Sequence, residues 1–170
     1  MRTRILLPLL AVVAVVVPVP AVAAPDTTAS TVARWVAPLD GVPDVTRPFE
    51  RPPGPYAAGH RGVDLGGSPG SAVLAASDGV VVFAGQLAGR GVVSVDHPNG
   101  LRTTYEPLAP SVKAGQRVTA GIVVGHLRPG HAGCQHVCLH WGLRRGEEYL
   151  DPLLLVATGH VRLLPWEGAR

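Results

Sequence analysis

The chain has 170 residues, 46% of them hydrophobic and 16% charged, which is enough apolar surface for one buried core and too little charge for wholesale disorder. It holds 21 Gly and 17 Pro with only 5% aromatic residues; without a G-X-Y period this composition means many tight turns, and it excludes collagen-like and long helical-bundle architectures. The formal net charge of +3 includes no basic run of the nucleic-acid-binding kind, so no nucleic-acid partner is expected.

Arg2 and Arg4 precede an apolar run, Ile5 to Val22, that ends in Ala21-Val22-Ala23-Ala24. A basic start, an apolar middle and a small-residue end make residues 1–23 a secretory signal peptide. The run is also long enough to span a bilayer with some tilt, but Pro18 and Pro20 favour removal over retention as an anchor. Cleavage after Ala23 leaves 147 residues with 13 basic and 12 acidic side chains. An exported protein with two cysteines, Cys134 and Cys138, usually oxidises them.

Residues 24–34 are small and polar and read as a flexible leader. The folded domain is expected over 35–156, with 157–170 as a C-terminal tail. From Trp35 onward the chain looks like short strands cut by Gly and Pro. Ala72–Ala76 is a small apolar strand, and Gly79–Gly85 a stronger one, β-branched and bounded by glycine. Gly91–His97 and Leu101–Tyr105 flank Pro98-Asn99-Gly100 and read as a β-hairpin. Gly121–Leu127 and Cys138–Arg144 are further strands. No stretch of the mature chain shows sustained helical periodicity, although Pro152 suits the first turn of a short helix after Asp151. The expected fold is all-β, an antiparallel sandwich or partly open barrel. The segment Val112–Gly125 has the turn-strand pattern of biotinyl and lipoyl carrier domains. Lys113, the only lysine, is not in the hairpin tip a carrier needs, so the pattern marks architecture.

Two clusters carry chemistry. Gly59-His60-Arg61-Gly62-Val63-Asp64 contains H-x-x-x-D, and imidazole and carboxylate are both good zinc ligands. Taken alone the spacing also fits a loop histidine followed by a turn aspartate. The second cluster is Cys134-Gln135-His136-Val137-Cys138-Leu139-His140. On a strand, residues i and i+2 share a face, so Cys138 and His140 point the same way. His140 can then join His60 and Asp64 as three ligands with one position open, the catalytic arrangement for zinc. A metal so held polarises a scissile carbonyl and activates water.

The run from Trp35 to about Leu155 resembles the LytM/lysostaphin-type zinc endopeptidases, which cut peptide cross-links in bacterial cell walls. The resemblance rests on Gly59–Leu65, the Gly79–Gly85 strand, Thr103-Thr104-Tyr105, Val112–Gly125 and Leu139–Arg144. It implies a duplicated-hybrid β architecture, one zinc ion held by His60, Asp64 and His140, and peptidoglycan peptides as substrate at the cell wall. Two departures stand out. The family usually reads H-x-H where this chain has Cys138-Leu139-His140, and Y-x-H-L where it has Tyr105-Glu106-Pro107-Leu108. Both absent histidines normally assist proton transfer. Glu106, His131 and His136 are the candidate replacements, each also readable as an ordinary strand-end or loop residue. Arg144 and Arg145 are candidates to hold acidic groups of the stem peptides.

Cys138 has three readings: a disulfide with Cys134, a fourth zinc ligand that closes the site, or a free nucleophile. The resulting expectation is a secreted, monomeric zinc peptidoglycan endopeptidase. The alternative is a catalytically degenerate domain that binds peptidoglycan or regulates a partner hydrolase.

Overall fold

The computed structural model describes residues 34–54 and 56–156. The expected signal peptide, most of the leader and the C-terminal tail lie outside the described residues. Eleven strands and one short helix follow in chain order: β1 (Val45–Arg47), β2 (Gly62–Gly66), β3 (Ala72–Leu74), β4 (Gly79–Leu87), β5 (Arg90–Asp96), β6 (Leu101–Glu106), β7 (Leu108–Pro110), β8 (Arg117–Val118), β9 (Val123–Leu127), β10 (Cys138–Arg145), β11 (Glu148–Leu150) and α1 (Leu153–Val156). No helix among the described residues is long and apolar enough to cross a membrane.

The strands form two antiparallel sheets. The larger runs β1-β2-β10-β6-β5-β4-β8, with β11 paired to β10, and the smaller runs β3-β9-β7. The expected hairpin is present as β5 and β6, with Val93 opposite Tyr105 and Asp96 opposite Arg102. Gly100 closes its turn at φ +76°. The helix after Asp151-Pro152 also forms, and the Asp151 carboxylate accepts the Leu153 N–H at 2.9 Å, satisfying one donor of the first turn.

Alternation decides which face each side chain serves. Val63 and Leu65 of β2, Val93 and Val95 of β5, Tyr105 of β6 and Leu139 and Trp141 of β10 enter one buried cluster. Val73, Leu108, Val124 and Leu127 of the small sheet pack against them. Each fully buried Val or Leu in this layer contributes roughly 1.5–3 kcal/mol. The intervening residues Asp64, His140, Thr104 and Glu106 are thereby committed to the other face of the large sheet, which becomes the floor of the candidate site.

One polar network is buried among these strands. His97, the last residue before the hairpin turn, is 6% exposed. Its Nδ1 lies 2.8 Å from the Asp78 carbonyl and its Nε2 2.9 Å from the Thr103 hydroxyl. Thr103 in turn bonds the Tyr105 hydroxyl at 2.9 Å, which accepts the Ala76 N–H at 2.9 Å. Burial pushes the Tyr105 phenol up to about 12. Burial also holds His97 below the ordinary imidazole value, against the raising influence of the Asp78 carbonyl and the Asp96 charge. The fold therefore favours neutral His97. Its contribution to stability is complete above the unfolded imidazole value of about 6.5 and declines as pH falls through it. Urea unfolding at pH 7.5 and pH 5.5 should show a larger loss for the wild type than for His97→Gln. Equal losses would remove His97 as a source of acid sensitivity.

Candidate metal centre

The site is assembled by strand register. In the β2–β10 pair His140 stands directly opposite Asp64, so their side chains rise from the same face as close cross-strand neighbours. His60 lies four residues before Asp64, and its backbone forms an isolated bridge with Glu50 through bonds of 2.9 and 3.0 Å. A Cβ on Gly59 would sit 2.8 Å from the Glu50 carbonyl oxygen, so glycine permits that bridge and with it the approach of His60.

The three side chains converge. His60 Nε2 is 3.0 Å from Asp64 Oδ1 and 3.0 Å from His140 Nδ1. His140 Nδ1 is 2.9 Å from the same Asp64 oxygen. His60 and Asp64 are shielded from water, at 4% and 1% exposed, while His140 is half-buried and reaches the groove. A fourth group joins them. His131, on the loop between β9 and β10, brings Nε2 to 3.2 Å from Asp64 Oδ1 and stacks on His140 with ring centroids 4.9 Å apart. One ligand atom from each of His60, Asp64, His131 and His140 lies within 4.8 Å of the other three.

The donor set fits a divalent metal. The His60 Nδ1–H donates to the Pro48 carbonyl at 2.7 Å, which turns the Nε2 lone pair of the neutral ring into the cluster. This is the outer hydrogen bond that metal-binding histidines characteristically make. Two acceptors, that lone pair and Asp64 Oδ1, then face each other 3.0 Å apart, and a cation between them removes the repulsion. The second carboxylate oxygen of Asp64 is buried without a hydrogen-bond partner, leaving it available to a metal. Burial pushes the Asp64 carboxyl upward. Hydrogen bonds with His131 and His140 outweigh it and hold the group well below the usual carboxylate range.

The other sequence candidates are placed differently. Glu106 is opposite His140 in the β6–β10 register, but its carboxylate accepts from Arg90 Nη2 at 2.9 Å and is 9% exposed as a residue. His136 is exposed and is outside the convergent group. Cys138 is joined to Cys134 by a disulfide with a Cα–Cα distance of 6.1 Å, within the range that such a bond spans. Its sulfurs lie within 4.8 Å of an Asp64 oxygen, so the bridge packs against the centre. The ion pair of Arg90 with Glu106 had no signal in local spacing, because the partners sit on different strands. His131, a candidate from the sequence, reaches the centre, but spacing did not separate it from His136, since a loop residue's position depends on how the loop closes.

Beside the centre a groove of about 350 Å³ runs over the large sheet, bounded by His140, Glu106, Arg61, Arg144, Phe83 and Tyr149 among others. The Arg61 guanidinium lies 5.5 Å from the Tyr149 ring centroid and donates to the Ala57 carbonyl at 3.1 Å.

Residues 58–152 match the profile of Peptidase family M23. The chain is 50% identical over 133 residues to the uncharacterised protein Rv2891 of Mycobacterium tuberculosis, a match covering 75% of this chain and 53% of that protein. The chain thus spans about half the length of that curated relative. The DD-carboxypeptidase/endopeptidase Mpg of Neisseria gonorrhoeae is 32% identical over 96 residues, covering 55% of this chain and 22% of Mpg. Among solved structures, Csd3 of Helicobacter pylori superposes with a TM-score of 0.60 at 29% identity, covering 76% of this chain and 36% of Csd3. The profile match takes in more than half of the chain, including every residue of the convergent cluster, and the chain belongs to Peptidase family M23.

Proposed function

We propose that this chain is an exported, zinc-dependent endopeptidase acting on the peptide part of peptidoglycan. The observation that carries this reading is the convergence of His60, Asp64 and His140 on one face of the large sheet, at the edge of an open groove. Imidazole and carboxylate donors in this number suit zinc. Zinc held there supplies Lewis acidity toward a scissile carbonyl and an attacking water. The relative Mpg, named as a DD-carboxypeptidase/endopeptidase, supports the substrate class.

The chain's own residues divide the remaining work. The groove gives an extended peptide a polar floor and an apolar wall at Phe83 and Leu87. Arg61 and Arg144 in its lining offer guanidinium groups to free carboxylates of a stem peptide, for which planar bidentate pairing is well suited. Proton transfer requires a group within hydrogen-bond reach of the reacting atoms. Glu106 is engaged by Arg90 and His136 faces solvent. His131 is the remaining imidazole at the cluster among the described residues, and we assign it the proton-transfer role when it is free of the centre.

A second reading is favoured by one specific observation. Cys138, at the position where the family usually has histidine, is locked in the disulfide. On that reading the domain binds wall peptides or regulates a partner hydrolase without cutting. The two are separated by incubating the purified, zinc-loaded protein with cross-linked muropeptides and reading products by mass spectrometry. The expected result is hydrolysed peptide that disappears with chelator and returns with zinc. Wall-peptide binding with retained zinc and no hydrolysis on several wall types would replace the endopeptidase reading with the second.

A further inference from the structure

We infer that His131 is a fourth protein ligand of the metal, so that the resting centre is coordinatively complete and an open position appears only when the loop carrying His131 moves away. This rests on the reading of His60, Asp64 and His140 as a metal site.

The distances support it. Tetrahedral zinc with nitrogen and oxygen ligands at about 2.0–2.2 Å would place its ligand atoms roughly 3.3–3.6 Å from one another. The separations among His60, Asp64 and His140 are 2.9–3.0 Å, and that from His131 Nε2 to Asp64 Oδ1 is 3.2 Å. His131 therefore stands at a ligand-to-ligand distance from the aspartate, and its ligand atom lies within 4.8 Å of those of His60 and His140. Its side chain is 13% exposed although it comes from a surface loop whose neighbours Ala132 and Gly133 are exposed. An imidazole turned inward from such a loop, with a ring nitrogen at a buried carboxylate, is placed to bind and not to be solvated.

The loop is built to present it. Gly130 and Gly133 flank His131 with φ of +120° and +96°, conformations that L side chains rarely adopt. One end of the loop is held by the Arg128 N–H, which donates to the Pro107 carbonyl at 3.0 Å. The other end is tied by the Cys134–Cys138 disulfide to the first residue of β10, two residues before His140. That disulfide also disposes of the competing candidate. A closed site through Cys138 needs a thiolate, and both sulfurs are consumed in the bridge. The disulfide reading of Cys138 holds, and the structure offers closure by an imidazole in place of the thiolate that another of the three readings allowed.

The test compares the wild type with His131→Ala and His131→Gln, each checked for folding by circular dichroism. Zinc affinity is measured by competition with a chromogenic chelator, and the coordination number is read from the visible spectrum after loading with Co²⁺. Loss of even an outer-shell partner costs about 10–100-fold in metal affinity, so loss of a direct ligand should cost at least that in both variants. The wild-type cobalt spectrum should be intense and four-coordinate, and unmoved by acetohydroxamate. The variants should bind acetohydroxamate and shift. Unchanged zinc affinity in the folded variants, or a wild-type cobalt centre that takes up acetohydroxamate as the variants do, would overturn the inference. A wild type that binds neither zinc nor cobalt would remove the metal reading along with it. Cleavage plays no part in these readouts, so a protein that binds four-coordinate cobalt and cuts nothing contradicts the endopeptidase reading alone.

Discussion

Asp64→Asn should abolish tight metal binding and leave the protein folded. The substitution keeps the shape of the side chain and removes its charge. Asp64 Oδ1 is the hub of the cluster, within 2.9–3.2 Å of ring nitrogens from His60, His140 and His131, and its second oxygen is buried without a partner. An asparagine amide offers one neutral oxygen in place of an anion, and its NH₂ group cannot bind a metal. Zinc affinity should fall by more than about 100-fold, since outer-shell changes alone cost 10–100-fold. Chelator competition reads the loss, and circular dichroism confirms that the sheet persists. Wild-type affinity in this variant would mean that the metal, if bound, sits elsewhere.

Gly62→Ala should damage fold and site together. A Cβ on Gly62 would lie 2.4 Å from the Trp141 carbonyl oxygen and 2.7 Å from His140 Nε2, distances at which a real Cβ is not found. Gly62 is the first residue of β2, opposite Gly142 on β10, and two residues from Asp64. The methyl group must therefore push apart the two strands whose register brings Asp64 and His140 together. Overpacking of this kind costs about 1–3 kcal/mol, occasionally more, and zinc affinity should fall with stability. Gly142→Ala is the control. Its Cβ would meet nothing closer than 3.5 Å, so it should leave both nearly unchanged. Equal behaviour of the two variants would refute the claim that close β2–β10 approach positions the site.

The sequence made some elements plain and hid others, for physical reasons. β4, β5 and β9 were legible because β-branched runs bounded by Gly announce strands; Pro98-Asn99-Gly100 and the Thr103-Thr104-Tyr105 run mark β6 as the returning strand of its hairpin, and alternation of apolar Leu139, Trp141 and Leu143 marks β10. β2 was not expected as a strand, because Gly and Asp are poor strand formers; it is held by pairing on both sides, to β1 and β10. β1, β7, β8 and β11 span two or three residues each, too short for any period to show.

Within the site, strand alternation alone put Cys138 and His140 on one face, and H-x-x-x-D spacing singled out His60 and Asp64. Glu106, His131 and His136 were the further candidates, and spacing did not single out His131 among them. His131 is nine residues from His140 along a loop with two left-handed glycines, and only the closed loop reveals the contact. Local pattern marks His97 only as the end of a strand, yet it anchors a buried network, because the partners that bury it come from other segments. Glu106 reads from sequence as either an exposed carboxylate or a base. Its part-buried ion pair with Arg90 is a third outcome that local pattern does not contain.

His60, Asp64, His140 and the loop histidine His131 are placed to surround one metal ion. X-ray diffraction from crystals of the zinc-loaded protein, collected on both sides of the zinc absorption edge, tests it most directly. A single anomalous peak is expected at bonding distance from His60 Nε2, Asp64 Oδ1, His140 Nδ1 and His131 Nε2. A peak elsewhere, or none in a folded protein with the four side chains in place, would contradict it.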